Sequence, residues 1–256
     1  MTGTAARCPP CPVCGAACDP LGAVDFNKSC EEARGFHLPP AGRPVDYVIC
    51  AACNFSFAPE FAAWSPEDFE REIYNEGYGS VDPDHADVRP RANAESLVAT
   101  FGDRGRSIRH LDYGGGAGLL STLLNESGWH STSYDPFFDR SVQLDGLGSF
   151  QLITCFEVFE HVPDVNGLAR NLSFLLADDG LILFSTLVSD GELRRGQPVT
   201  WWYASPRNGH ISLFSASSLM TFAVKHGFRL ASFSPGMHVF WRQQFPQWAR
   251  HLLQGG

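Results

Sequence analysis

The sequence predicts an α/β fold: a mostly parallel sheet with helices on both faces, preceded by a small cysteine-bearing module. Three observations carry this. The run His110-Leu-Asp-Tyr-Gly-Gly-Gly-Ala-Gly-Leu-Leu120 leads from an apolar strand through a glycine loop into a helix. Beyond it, apolar strand segments at Leu152 to Phe156 and Leu181 to Thr186 alternate with helical patterns, as a parallel sheet requires. Ahead of it, two C-x-x-C pairs bracket the first fifty residues or so.

At 256 residues, 44% hydrophobic and 18% charged, the chain can bury one substantial core and a small satellite. The net charge of −9, with Arg194-Arg195 as the nearest basic cluster, argues against a nucleic-acid partner. No apolar run reaches membrane-spanning length, which argues against a membrane partner, and the N-terminus lacks a charged-then-apolar signal pattern. The expected location is cytoplasmic.

Eight cysteines in such a chain point to metal rather than disulfides. Cys11-Pro-Val-Cys14-Gly15 and Cys50-Ala-Ala-Cys53-Asn54 are C-x-x-C turns, each followed by a residue that tolerates positive φ, as a zinc knuckle needs. Together Cys11, Cys14, Cys50 and Cys53 predict a tetrahedral site in a zinc-ribbon-like module. Cys8 forms a rival pair with Cys11, while Cys18 and Cys30 stand apart. Four thiolates leave no open coordination position, so the Zn2+ reads as structural.

Residues 19–49 hold Pro39-Pro40 and several glycines and predict loops and short strands, with Asp46 to Ile49 leading into the second knuckle. Ser65-Pro-Glu-Asp68 opens a capped helix expected to run to about Tyr74. Asn75 to Gly79 breaks it, and a further helix is expected from about Arg89 to Phe101. These patterns divide the chain into a zinc-binding module over residues 1–58, a helical linker or cap over 59–104, and the main domain over 105–256.

In the glycine loop, residues without Cβ let a ligand approach the backbone, and the helix start offers unpaired N–H groups. The spacing is Asp112-x-Gly114-x-Gly116-x-Gly118. A dinucleotide fingerprint would place its third glycine where Leu119 stands, which argues against a nicotinamide oxidoreductase. An acid at the strand end suits a ligand carrying an ammonium group, as S-adenosylmethionine does. The next strand, Trp129 to Tyr134, ends in Asp135, whose carboxylate can accept hydrogen bonds from both ribose hydroxyls.

With Asp112 to Gly118, Asp135, and Phe150-Gln-Leu-Ile-Thr-Cys-Phe-Glu157-Val-Phe-Glu160-His161-Val, the sequence resembles the class I S-adenosylmethionine-dependent methyltransferases over roughly residues 105 to 235. The resemblance implies a Rossmann-like, mostly parallel seven-stranded sheet. It departs from the family at Gln151, where an Asp usually begins the fourth strand. Some members, sugar methyltransferases among them, carry an N-terminal zinc module that helps form the substrate site. Similar proteins also place tyrosines over cofactor and substrate; Tyr74 and Tyr78 are the candidates, with Tyr78 assigned to the cofactor, although an i, i+4 pair equally suits helix packing.

Pro136 to Ser149 is too short for a helix and a long third strand, so that strand is expected to be rudimentary, and Asp145 is a guess for the adenine contact. Glu157, Glu160 and His161 follow the fourth strand, at the end where open α/β sheets bind ligands. Pro163 to Leu176 is the next helix. The stretch Leu187 to Phe214 is long enough to be functional and carries Trp201-Trp202-Tyr203 and Pro206-Arg-Asn-Gly-His210. Many similar proteins have a Gly-His before the next helix, and this resemblance makes His210 the first candidate for general base, with His161 and Glu157 beside it; its alternative duty is to fix the loop. A last helix, Ser217 to His226, precedes strands at Phe228 to Phe233 and His238 to Arg242 and an amphipathic tail.

The function expected is methyl transfer from S-adenosylmethionine to a small polar acceptor, with sugar, nucleotide sugar or natural-product intermediate implied by resemblance. The competing reading is a non-catalytic cofactor-binding module that docks a partner through its zinc domain.

Overall fold

The computed structural model describes residues 8–253. The first seven residues of the expected module and the last three of the expected tail lie outside them. Two strands, β1 (Cys18–Asp25) and β2 (Pro44–Cys50), pair antiparallel with Cys18 opposite Cys50, and β3 (Ser56–Phe57) adds to β2. The expected loops lie between Asp25 and Pro44, around a 3-10 turn at Cys30–Arg34, while the strands on either side are longer than expected and pair through a bulge at Pro20/Gly22, with Val45, Tyr47 and Ile49 on one apolar face. Helix α1 (Pro66–Glu72) begins in a capping box: Ser65 Oγ accepts from Asp68 N–H, and the Asp68 carboxylate accepts from Ser65 N–H. It stops short of Tyr74. The short α2 (Tyr78–Val81) and longer α3 (Val88–Phe101) follow.

The main sheet is built from β4 (Arg109–Tyr113), β5 (His130–Tyr134), β6 (Phe150–Phe156) and β7 (Leu176–Ser185) in parallel, with α4 (Leu119–Glu126) and α5 (Val165–Leu175) between them. The two-residue β8 (Ser212–Leu213), helix α6 (Ala216–Lys225) and the closing hairpin β9 (Arg229–Ser234) and β10 (Met237–Trp241) complete the chain. The order is β5-β4-β6-β7-β10-β9, with β10 antiparallel to both neighbours. This makes six strands rather than seven. The rudimentary third strand does not form, since residues 136–149 hold only a 3-10 turn at Leu144–Gly146, and a parallel crossover alone needs about a dozen residues.

Helices cover both faces. Leu97, Phe101, Leu120 and Leu124 of α3 and α4 pack on Leu152, Leu181 and Leu183. On the other face Leu168, Leu172, Leu219 and Phe222 of α5 and α6 pack on Ile153, Phe184 and Phe240. Chain order reverses at β4, with β5 on one side and β6 on the other, and the crevice outside such a switch point is where ligands bind.

The two sheets are joined by the long connection after β7. Ser212 and Leu213 pair with Phe57 and Ser56, so β8 is the fourth strand of the N-terminal sheet. Trp201, Tyr203, Ile211 and Leu213 share one apolar cluster with Val45, Tyr47, Phe61 and Phe69. Among the described residues, no helix is long and apolar enough to cross a membrane.

Candidate active site

The sulfurs of Cys11, Cys14, Cys50 and Cys53 lie within 4.8 Å of one another. Cys11 and Cys53 are 3.7 Å apart, and Cys14 and Cys50 are 3.3 Å apart, against about 3.8 Å for the edge of a tetrahedron with Zn–S of about 2.3 Å. Two matching turns build the cluster. Gly15 at φ 79° closes one on the Cys11 carbonyl, and Asn54 at φ 58° closes the other on the Cys50 carbonyl. The amides of Ala52 and Cys53 both donate to Cys50 Sγ. Cys8, Cys18 and Cys30 lie outside the group.

Above β4, the glycine loop is held from below and from both sides. The Asp112 carboxyl is buried, accepts a 2.9 Å bond from Thr154 Oγ1, and lies directly under Gly115, where a Cβ would come within 2.4 Å of Oδ2. Thr154 in turn accepts from His110 Nε2 at 2.9 Å. Burial pushes the Asp112 carboxyl up to about 7 and the His110 imidazole down to about 3. A Cβ on Gly114, at φ 79°, would meet Val158 at 2.4 Å, so only glycine lets β4 turn against the segment after β6. Gly116, at φ 53°, has open space beside it, and Gly118 caps α4.

At the end of β5, Asp135 accepts three amides: Gly116 N–H on Oδ2 at 3.0 Å, and Phe137 and Phe138 N–H on Oδ1 at 2.8 and 3.2 Å. An open cleft of about 910 Å³ continues beside it, lined by Tyr134, Phe137, Val142, Leu144 and Asp145 among others. An open glycine backbone, a carboxylate at the neighbouring strand end and an apolar cleft together fit a nucleoside.

The second half of the site follows β6. Glu157 adopts φ 53°, unusual for a residue with a side chain, and a reciprocal pair of bonds with Ser185 holds it: its N–H donates to Ser185 Oγ, which donates to Glu157 Oε1, both at 2.8 Å. Glu160 is fully buried; Tyr203 OH donates to its Oε1 at 2.5 Å, while Oε2 has no hydrogen-bond partner. Burial and the nearby Glu157 charge push its carboxyl up to about 8. His161 Nδ1 lies 3.1 Å from Tyr74 OH, and His210 Nδ1 donates to Tyr203 O at 2.9 Å. The two imidazoles meet edge to face, 4.8 Å between centroids. Burial lowers His161 to about 4 and His210 well below its usual value, so both rings are neutral at pH 7.

The structure thus brings His210, His161 and Glu160 together and places Glu157 at the end of β6 nearby. Tyr74 spans the two halves, its ring 5.8 Å from that of Phe137 and its hydroxyl on His161. Tyr78 packs on Tyr74 and donates to Asn208 O at 3.3 Å. Asp145 is exposed at the rim of the cleft.

Several contacts gave no sequence signal because they depend on how the N-terminal sheet docks. Tyr47 OH donates to His210 O at 2.6 Å, Cys30 N–H donates to Asn208 Oδ1 at 2.8 Å, and Lys28 Nζ donates to Trp201 O at 3.0 Å. The N-terminal module therefore clamps the loop that carries His210. Arg89, paired with Asp82 behind Tyr78, was equally illegible.

A family model described as a methyltransferase domain matches residues 85–232. A ubiquinone biosynthesis O-methyltransferase of Chromobacterium violaceum is 30% identical over 128 residues, covering 40% of this chain and 55% of its own. Its counterpart in Bordetella avium is 31% identical over 103 residues, covering 31% and 42%. The chain thus spans about half the length of these relatives. Among solved structures, a 1,6-didemethyltoxoflavin-N1-methyltransferase of Burkholderia thailandensis, with that compound and S-adenosylhomocysteine bound, aligns at TM-score 0.49 and 18% identity over 80% of this chain and 96% of its own. The magnesium protoporphyrin IX methyltransferase of Synechocystis PCC 6803, with S-adenosylhomocysteine, aligns at 0.42 and 16% over 71% and 95%.

Proposed function

The chain belongs to the methyltransferase-domain family, and from that premise we propose that it is an S-adenosylmethionine-dependent methyltransferase acting on a small polar acceptor. The observation that carries the reading is the position of Tyr74, which reaches from Phe137, beside Asp135, to His161. A nucleoside held at Asp135 and an acceptor held at the histidines then occupy one crevice.

The cofactor supplies an electrophilic methyl group when bound. The chain supplies the rest. Asp135 takes the ribose hydroxyls, the amide of Gly116 yielding or sharing its place. Asp112 supports the Gly114 to Gly118 loop from below, where the amino-acid end of the cofactor meets backbone. For a hydroxyl acceptor, His210 accepts the proton: its Nδ1 is committed to the Tyr203 carbonyl, which leaves Nε2 as the basic atom, and its neutrality at pH 7 keeps that atom free. His161 and Glu157 orient the acceptor. Positioning and exclusion of water supply most of the acceleration.

The four cysteines hold Zn2+ as a closed structural site, and the module over residues 1–58 acts through the loop it clamps, with the segment 59–104 as the cap that brings Tyr74. A sugar, nucleotide sugar or natural-product scaffold bearing hydroxyls suits the polar histidine face and the aromatic Trp201 to Tyr203 run. The test is transfer of a labelled methyl group from S-adenosylmethionine to a panel of these acceptors. Labelled small-molecule product supports the reading; intact cofactor binding with no transfer to any acceptor class favours a non-catalytic binding module instead.

A further inference from the structure

We propose that Glu160, His161 and His210 form a second metal site, distinct from the four-cysteine centre, that takes a divalent transition-metal ion with open positions toward the acceptor. This rests on the methyl-transfer reading for its purpose, though not for its chemistry.

The ligand atoms of the three residues lie within 4.8 Å of one another, the one group of mixed nitrogen and oxygen donors so placed among the described residues. Closing onto a common ion, with edges of about 3.4 Å for bonds of about 2.1 Å, requires small side-chain adjustments. Two imidazoles and one carboxylate are a donor set suited to Zn2+, Co2+ or Fe2+, and three protein ligands leave room for exogenous oxygen.

Two features of the surroundings point the same way. Glu160 Oε2 is a fully buried carboxylate oxygen without a hydrogen-bond partner, an expensive arrangement that a cation would relieve. The Thr186 hydroxyl is buried beside it, near enough to hydrogen-bond the carboxyl. Each ligand is also fixed from behind, as metal ligands usually are: His210 Nδ1 by the Tyr203 carbonyl, Glu160 Oε1 by the Tyr203 hydroxyl, and His161 Nδ1 by the Tyr74 hydroxyl. Tyr203 thus orients two of the three, from a loop pinned by the N-terminal sheet.

A cation here binds the acceptor's oxygen directly and lowers its pKa, so the ligated hydroxyl gives up its proton to water, and His210 acts as ligand in place of base. Tyr74 bridges this site and the Asp135 end of the crevice, its hydroxyl on His161 and its ring against Phe137.

The test is titration of the full-length, zinc-loaded protein with Co2+, followed by visible absorption and calorimetry, in the native chain and in Glu160→Gln and His161→Ala. S-adenosylhomocysteine binding and thermal melting serve as fold controls. The expected result is one saturable Co2+ site per chain with nitrogen–oxygen d–d bands and no thiolate charge-transfer band, weakened at least 10-fold in each variant that keeps its melting temperature. Absence of saturable binding below millimolar Co2+ in the native chain, or equal binding in folded variants, overturns the proposal. Either outcome leaves the methyl-transfer reading standing or falling on its own cofactor titration.

Discussion

The amide of Gly116 donates to Oδ2 of Asp135 at 3.0 Å, so one carboxylate ties the glycine loop after β4 to the end of β5, between Tyr134 and Pro136 of the neighbouring cleft. Asp135 shapes the loop, and the proposed function adds the ribose hydroxyls to its contacts. Asp135→Ala removes both. The expected loss of S-adenosylhomocysteine affinity is about 100-fold, or about 2.7 kcal/mol, measured by calorimetry. A change of less than a few-fold would detach this carboxylate from the cofactor site.

His210 sits at the end of a loop whose carbonyl accepts from Tyr47 and whose Tyr203 fixes its Nδ1. Because its contacts lie on the acceptor side, His210→Ala should leave S-adenosylhomocysteine affinity within about 2-fold while kcat falls by roughly 10² to 10⁴. Parallel loss of cofactor affinity would mean that the residue only stabilises the loop.

Cys14 and Cys50, 3.3 Å apart, join the two knuckles that close the N-terminal sheet. Cys50→Ser should drop the zinc content below one per chain and lower the melting temperature. The sheet clamps the His210 loop, so turnover should fall with it. The metal is checked by elemental analysis, with binding on the order of 10 kcal/mol behind the stabilisation. A variant that keeps its melting temperature after losing zinc would contradict the structural role.

Asp112 holds a proton in the folded chain up to about pH 7, whereas the unfolded chain releases it near the ordinary carboxylate value of 3.8. Between those values the folded state binds more protons, so this group makes the protein less stable as pH rises through the window. The loss is complete above about 7 and amounts to roughly 4 kcal/mol. Asp112→Asn keeps an acceptor for Thr154 and removes the titration. Its stability relative to the native chain should grow from pH 5 to pH 8 in urea unfolding. A pH-independent difference would place the carboxylate in a better-solvated setting. The low imidazole of His110 is common to both proteins and cancels in the difference.

Much of this was legible in the residues. The glycine loop declares itself because strand, turn and helix each impose their own composition on contiguous residues, and the cysteine pairs do so through fixed spacing. Helix ends with side-chain caps, such as Ser65 with Asp68, were readable for the same reason. What escaped was set by tertiary docking. The third strand failed because β5, already a polar edge, is followed by too few residues to cross over. Tyr47, Cys30 and Lys28 meet the His210 loop from more than 150 positions away, and no local pattern marks such a contact. The pairing of Glu157 with Ser185 depends on the register of β6 beside β7, which periodicity alone does not specify.

The central claim is that the crevice outside β4 and β5 binds S-adenosylmethionine, and calorimetric titration of the native chain with S-adenosylhomocysteine, with NAD as control, tests it most directly. The account predicts saturable binding with a micromolar Kd, about 8 kcal/mol, and no heat from NAD. Binding of NAD in place of S-adenosylhomocysteine, or no binding of either by the folded, zinc-loaded protein, would contradict it.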